Sequence, residues 1–477
     1  MAGCAVGPRY HRPETPVPES WAETSDTLTT APPDMLQWWT VFHDPLLDSL
    51  IDRAIRSNKS LQLAEARILQ ARAQRIIAGA AGLPTLNATG AYTRLQRSKN
   101  AFSSAFAGAG GSTGSIGTGA LGLSGDLFEA GLDASWEIDV FGGIRRAVEA
   151  ANANLAAAQE DFRDTLVTLL GEVATNYFQL RGNQRRIDVA RENIATQRKS
   201  VELAQGRFEA GLGSRLEVAQ AVALLATTES QIPPLETTVK QSIHQLGVLL
   251  GVEPETLLQG LSPPGPMPPA PPTVPVGLPS DLLRRRPDIR RTERQLAAAT
   301  AQIGVAVAAL FPKLSLTGAY GYQSMKTSNL FSSDSQFWNA GPSLSLPIFS
   351  GGQIRGNIQV QTALQQQALA TYENTVLTAL QDVENSMVAY TEAQAARAAL
   401  ALAVSANQEA TQISQDLYEK GLTDFLNVLQ SEGALYQAQD RLIQNEQLAL
   451  TSLVALFKAL GGGWEVVAPE AQRLENR

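Results

Sequence analysis

Arg207-Phe208-Glu209-Ala210-Gly211-Leu212 recurs as Leu417-Tyr418-Glu419-Lys420-Gly421-Leu422, 210 positions later. The offset holds without a gap. Leu216 pairs with Leu426, Val218 with Val428, Gln220 with Gln430, Leu225 with Leu435 and Gly251 with Gly461. It also extends back to Ile144-Arg145 and Ile354-Arg355. Self-similarity at a fixed long period means that one structural plan is used twice. Any fold for this chain must therefore hold two similar halves.

Each half has the same order: helix, two short strands, very long helix, turn, return helix. Leu46 to Ala81 has a helical period, with Leu47, Leu50, Ile51, Ala54 and Ile55 on one face. Asp44-Pro45 is a start signal, with Pro at the first helical position, and Gly82-Leu83-Pro84 is a stop. The matching helix of the second half runs from about Pro287 to Leu310 and is ended by Phe311-Pro312.

The period then changes to two. Leu132, Ala134, Trp136, Ile138 and Val140 alternate with Gly131, Asp133, Ser135, Glu137 and Asp139. Leu314, Leu316, Gly318, Tyr320 and Tyr322 alternate with small and polar residues. Leu86 to Tyr92 and Leu344 to Ile348 continue the theme. This dyad, at roughly ten residues per strand, is the pattern of a transmembrane β-strand. A half-buried sheet of a soluble domain gives it too. Four such strands, with small or acidic residues on the second face, favour the membrane reading. The connection Ser98 to Asp126 is long and rich in Gly, Ala and Ser, whereas Ser324 to Gln336 is shorter.

After Gly142-Gly143 and Gly351-Gly352 come proline-free helical runs, Ile144 to Glu209 and Ile354 to Glu419, 66 residues each. At about 1.5 Å per residue each spans on the order of 100 Å. Gly211 and Gly421 suit helix C-caps, and Ser214 or Thr423 can cap the return helices. The returns end at Gly251 and Gly461. They are too short to pair with the long helices alone. A Pro-rich linker from Pro254 to Pro279, then the helix from Pro287, would complete a broken return strand of a coiled coil. Pro233-Pro234 should kink the first return helix, while the second has no proline there.

Four strands cannot close a barrel, and open sheet edges do not survive in a bilayer, so the chain must oligomerise. A dimer would supply 8 strands and a trimer 12. A hollow centre favours the trimer, because barrel diameter grows with strand number.

Other function classes fit poorly. The net charge of −8 and pI near 5.2, without a basic stripe, argue against nucleic acid. Arg284-Arg285-Arg286 is the one tight basic run, and such a run is expected to be a solvated helix start. No apolar stretch approaches the ~18 residues of a spanning helix. One cysteine, Cys4, excludes an intrachain disulfide and a cysteine-based metal cluster. His11, His43 and His244 are scattered, and phosphate-loop and HExxH patterns are absent. The reading is therefore no enzyme, no cofactor and no metal. Ala2-Gly3-Cys4 fits the end of a lipoprotein signal, without a charged or apolar region before it. Residues 5–34 read as an extended tether.

Several segments then match a family in order and at consistent spacing. They are Cys4-Ala5-Val6-Gly7-Pro8-Arg9-Tyr10 with Arg12-Pro13; Trp38-Trp39 with Phe42-His43-Asp44-Pro45; and Ala64-Glu65-Ala66-Arg67 with Gln70-Ala71-Arg72. Gly277-Leu278-Pro279-Ser280-Asp281-Leu282-Leu283 with Arg286-Pro287-Asp288-Ile289, Phe311-Pro312, Leu346-Pro347-Ile348-Phe349 and Lys458-Ala459-Leu460-Gly461-Gly462-Gly463-Trp464 follow. Over almost its whole length the chain resembles the TolC-like outer-membrane factors of tripartite efflux pumps, in the NodT-type lipoprotein branch.

The resemblance implies an α+β membrane protein. A trimeric 12-stranded transmembrane β-barrel, four strands per chain, is continued by a long periplasmic α-helical coiled-coil barrel with an equatorial domain. It assigns 1–34 to a lipidated tether anchored at Cys4. It assigns 35–60, 252–286 and 461–477 to the equatorial domain. The helical barrel takes 61–82, 144–251, 287–311 and 354–460, and the membrane hairpins take 83–143 and 312–353. It implies an exit duct for drugs, toxic compounds or metal ions, fed by an inner-membrane transporter of the resistance-nodulation-division type through a periplasmic adaptor. A type I protein-secretion duct and a structural coiled-coil scaffold are the alternatives.

The resemblance also implies site residues. Gly211, Leu212, Gly213, Gly421, Leu422 and Thr423 match the tips on which adaptors dock. The family often places aspartates on the return helix just beyond the second tip. Here those positions are Asn427 and Gln430, and Asp424 and Leu426 are expected at the constriction. Asp133, Glu137 and Asp139 are expected to line the barrel lumen. The halves differ at the tips, with Ser214, Arg215 and Glu217 standing against Asp424, Phe425 and Asn427. Docking and gating are expected to divide there.

Overall fold

The computed structural model describes residues 5–23, 28–29, 31, 35–96, 124–271 and 273–467. Cys4, the Gly/Ala/Ser connection up to residue 123 and residues 468–477 lie outside the described residues. In chain order the elements are β1 (Leu28–Thr29), α1 (Pro45–Ser57), α2 (Lys59–Ala80), β2 (Thr85–Gln96), β3 (Ser124–Ile138), α3 (Gly143–Glu209), α4 (Arg215–Glu229) and α5 (Ile232–Leu249). Then come α6 (Leu258–Leu261), β4 (Val274–Pro275), α7 (Pro279–Arg285), α8 (Pro287–Ala308), β5 (Lys313–Ser324), β6 (Gln336–Ser345), α9 (Gln353–Glu419) and α10 (Phe425–Ala459). Short 3-10 turns fill several connections. The two long helices are 67 residues each and begin and end at positions 210 apart. The repeat seen in the sequence is thus a repeat of helix ends.

The chain divides into two compact units. The first holds Met1–His11, Ala71–Leu155 and Gln295–Ala368, and its centre is a four-stranded antiparallel sheet in the order β2-β3-β5-β6. Residues opposite one another in such a sheet share a face. Ala88, Leu132, Tyr320 and Trp338 form one cross-strand row, Leu86, Ala134, Gly318 and Ala340 a second, and Trp136, Leu316 and Pro342 a third. All three rows lie on a single apolar face that stands open: Trp338 is 76 % and Leu344 69 % exposed. The opposite face carries Asn87, Asp133, Ala319 and Asn339 in one row and Glu137, Ser315 and Ser343 in another. β2 and β6 are the outer strands, so both edges are unpaired within the described residues of the chain. Among the described residues no helix is long and apolar enough to cross a membrane.

The last strand stops at Ser345, before Leu346 and Ile348, which the alternation had placed on it. Pro347 follows at once, and a proline cannot donate to the ladder. Asp139 also leaves the sheet. It lies one residue beyond β3, and its carboxylate accepts from the Ile144 and Arg145 amides at 3.2 and 2.9 Å. It is the cap of α3, not a strand residue beside Asp133 and Glu137. The amino-terminal segment is extended as expected but is fastened: Val6 N–H donates to Phe141 O, and the buried Arg146 donates to the carbonyls of Val6 and Gly7.

The second unit holds Arg12–Gln70, Ala156–Arg294 and Leu369–Arg477. Trp38 stacks on Phe457 with ring centroids 5.2 Å apart, and Phe42 meets Phe178 edge-on at 4.7 Å. Leu47, Leu50, Ile51 and Ala54 bury the apolar face of α1, and Asp44 caps that helix through the Leu46 and Leu47 amides. The single helix expected from Leu46 to Ala81 is in fact two. Asn58 breaks it: its side-chain oxygen accepts from the Ser60 and Leu61 amides, and its amide donates to Leu249 O at 2.8 Å. An asparagine inside a helical period looks neutral, but a buried one with a distant carbonyl to satisfy acts as a cap. Asn58→Ala is expected to lower stability by about 2 kcal/mol, combining a lost cap with an orphaned carbonyl. A fall in melting temperature of several degrees would register it, and an unchanged melt would refute this role.

The return helices behave as the prolines predict. α4 and α5 are separate, interrupted at Ser230-Gln231 just before Pro233-Pro234, whereas α10 runs 35 residues unbroken. The basic run differs from expectation. Only Arg284 is fully exposed; Arg285 pairs with Glu465 at 2.7 Å, and Arg286 is buried.

Candidate functional site

Both long helices end in the same backbone turn. Leu212 N–H donates to Arg207 O at 2.8 Å and Gly211 N–H to Phe208 O at 3.0 Å; Leu422 and Gly421 repeat this to Leu417 O and Tyr418 O at 2.8 and 2.9 Å. This is the Schellman closure, which needs a left-handed residue after the helix. Gly211 and Gly421 supply it, with φ of +71° and +73°. The closure leaves Leu212 and Leu422 at the apex, 71 % and 70 % exposed. The same apical leucine is thus held open on a fixed turn twice in one chain.

Behind the turns the halves separate in role where their sequences differ. Phe425 is 1 % exposed and packs with Tyr418, Val428, Leu429, Ala204 and Ala221. Its counterpart Arg215 is exposed. Ser214 caps α4 through the Leu216 amide, whereas Asp424, in the matching position of α10, makes no cap bond. Thr423, expected as a cap, instead accepts from the Asn427 amide at 2.7 Å. Glu217 accepts a hydrogen bond from Tyr418 Oη at 2.9 Å. Arg207 lies over the Tyr418 ring, 4.7 Å from its centroid, and donates to Tyr418 O. So one tyrosine on α9 is held from α4 by a carboxylate and from α3 by a guanidinium.

Burial, then the hydrogen bond to Glu217, pushes the Tyr418 hydroxyl up to about 12. A folded-state value above the free one means that its contribution is complete below pH ~10 and fades as pH rises toward 12. Across ordinary pH the hydroxyl keeps its proton and donates. Sequence reading missed this contact. The signal was present in the repeat, because Phe208 in the first half matches Tyr418 in the second, and Glu217 matches Asn427.

Asp424, Leu426, Asn427 and Gln430 are all exposed at the start of α10. They lie opposite the buried side of that helix, which carries Phe425, Val428, Leu429 and Glu432. The four expected gate positions therefore share one open face. In the first unit Asp133 and Glu137 are on the polar face of the sheet, with Asn87 donating to Asp133 at 3.1 Å. Among the described residues no cluster of three or more His, Cys, Asp or Glu gathers to hold a metal ion.

A four-stranded sheet with an open apolar face, together with a twice-used helical hairpin whose long helix has 67 residues, marks the class of outer-membrane exit ducts. The chain matches the outer membrane efflux protein family over residues 50–252 and 278–462, and it belongs to that family. It is 36 % identical over 434 residues to the pyoverdine export outer membrane protein OpmQ of Pseudomonas aeruginosa, covering 91 % of this chain and 88 % of that one. It is 31 % identical over 468 residues to nodulation protein T of Rhizobium leguminosarum bv. trifolii, covering 98 % and 96 %. The solved outer-membrane channel OprN superposes with a TM-score of 0.88 at 34 % identity, over 97 % of this chain and 100 % of that one. The protein is an outer-membrane efflux channel component, and its work is conduction.

Proposed function

We propose that three copies of this chain form the exit duct of a tripartite efflux pump for small molecules. The observation that carries the trimer is the sheet: four strands, two unpaired edges and an open apolar face. Such edges must be paired inside a bilayer, and twelve strands close a barrel wide enough to conduct. Asp133 and Glu137 then face the lumen and bias it toward cations. The helical hairpins form the periplasmic tube, and Cys4 is the lipidated residue. Light scattering of the detergent-solubilised protein should give three copies per particle. A monomer, or a protein that stays in solution without detergent as a coiled-coil scaffold would, contradicts the reading.

The apical turns around Leu212-Gly213 and Leu422-Thr423 receive a periplasmic adaptor, which links the duct to an inner-membrane transporter. Leu212→Asp with Leu422→Asp is expected to abolish drug resistance in cells while leaving melting temperature within a degree or two. Both side chains point into solvent, so their loss costs the fold little. Retained resistance in this double variant would remove the apex from the docking surface.

The face of α10 carrying Asp424, Leu426, Asn427 and Gln430 closes the tube about the threefold axis. Neutral Asn427 and Gln430 rings hold cations weakly and repel one another little, so Leu426 and the Asp424 ring carry the closure. The Glu217–Tyr418 bond and the Arg207 contact keep the second hairpin against the first in the closed state.

A further inference from the structure

The connection from Ser262 to Thr273 is twelve residues long, seven of them proline. Among its described residues none belongs to a helix or strand. Connections longer than about this without regular structure are uncommon in compact domains, where they are either functional or linkers. Proline fixes its own φ and drives the residue before it to extended backbone, so Pro263-Pro264-Gly265-Pro266-Met267-Pro268-Pro269-Ala270-Pro271 is preset as a polyproline II rod.

The exposure of that rod has the period of three that such a helix requires. Pro263, Pro266 and Pro269 are exposed at that spacing, with Pro264 exposed beside them, while Gly265, Met267, Pro268, Ala270 and Pro271 are half-buried. The rod is tied down from beneath by its carbonyls. Arg181 donates to Pro263 O at 3.1 Å, Gln184 to Ser262 O and Pro263 O at 3.3 Å each, and Tyr390 Oη to Pro271 O at 2.6 Å. Arg181 and Gln184 are themselves buried, at 6 % and 4 % exposure. Gly265 sits on the Arg181 guanidinium so closely that a Cβ there would lie 2.6 Å from its central carbon. A passive linker needs no buried arginine and glutamine committed to its underside. The fastening immobilises the rod while leaving its proline ridge bare.

Open grooves flank the ridge on both sides. One, of about 640 Å³, is lined by Arg185, Asp188, Arg397 and Glu446; the other, of about 880 Å³, by Val41, Phe42, His43 and Leu46. The first offers two cations and two anions, the second mainly apolar surface.

We propose that this ridge is a docking site for a periplasmic protein domain whose aromatic-lined groove reads polyproline II. Recognition of this kind uses a ligand already in its bound shape, so little ordering entropy is lost on binding. Pro263, Pro266 and Pro269 enter the aromatic slots, and the flanking grooves accept the rim of the partner. The site is separate from the Leu212 and Leu422 apices and adds a partner beyond the adaptor.

The test uses the intact detergent-solubilised channel and, as probe, an SH3 domain selected in vitro against a synthetic peptide of residues 261–271. The channel is expected to bind the probe at least as tightly as the free peptide does, because its ridge is preformed. Pro266→Ala with Pro269→Ala should weaken binding tenfold or more. If that pair alters the melt, Pro266→Arg alone, on an exposed position, must give the same loss. A probe that binds the peptide but not the channel, or binds the variants equally, overturns the proposal.

Discussion

Tyr418→Phe is expected to raise the closed-state conductance of the channel several-fold, and Glu217→Ala to do the same. The Tyr418 hydroxyl reaches Glu217 at 2.9 Å and has no role in backbone closure, since the Schellman turn after it uses only main-chain groups. A hydrogen bond to an ionised acceptor contributes about 1.5–3 kcal/mol, so each protomer's closed-to-open ratio should fall roughly tenfold or more. The substituted ring would keep the packing on Phe425 and the face presented to Arg207. The effect on closure is then accompanied by a fall of a few degrees in melting temperature, because the same bond also stabilises the folded chain. The double variant should add little to either single change, because both remove the same bond. Additive effects would mean that the two residues act separately.

Arg286→Met should be the most destabilising single change in the second unit. The Arg286 guanidinium donates to Asp288 at 2.7 and 3.0 Å, to Asp382 at 3.2 Å and to Ala459 O at 3.0 Å. Burial pulls the pKa of this group down, but the hydrogen bond and charge of Asp288, then those of Asp382, outweigh it and leave it raised. Removing the arginine strands the part-buried Asp288 carboxylate and a helix-terminal carbonyl, while Asp382, 46 % exposed, keeps its water, so the cost is about 3 kcal/mol. Loss of the folded protein on thermal challenge well below the wild-type melt is the expected readout. Arg286→Lys should recover only part, because an ammonium cannot fork between two carboxylates and a carbonyl. A wild-type melt for Arg286→Met would show that the network is dispensable.

The repeat made most of the fold legible. Helix ends at Glu209 and Glu419, turns at Gly211 and Gly421 and the break before Pro233 all follow from local chemistry read twice. The sheet faces were legible too, because a period of two leaves no choice of side once register is set. What escaped was tertiary. Asn58 breaks a helix because Leu249 O needs its amide. Arg286 is buried because Asp288 and Asp382 meet it. Asp139 continues the alternation in sequence, yet it turns to cap α3. At the tips the mismatched pairs marked where to look, but the pairing of Glu217 with Tyr418 spans 201 residues and no local pattern carries it.

A trimeric duct closed by the exposed face at the start of α10 is tested most directly by single-channel recording in planar bilayers. The proteins to compare are Leu426→Ala, Asp424→Ala and Gln430→Ala beside the unchanged chain. A small resting conductance is expected for the unchanged chain and a clear rise for Leu426→Ala. Asp424→Ala should give a smaller rise with weakened cation preference, and Gln430→Ala little change. Equal resting conductance in all four proteins would contradict closure at this face.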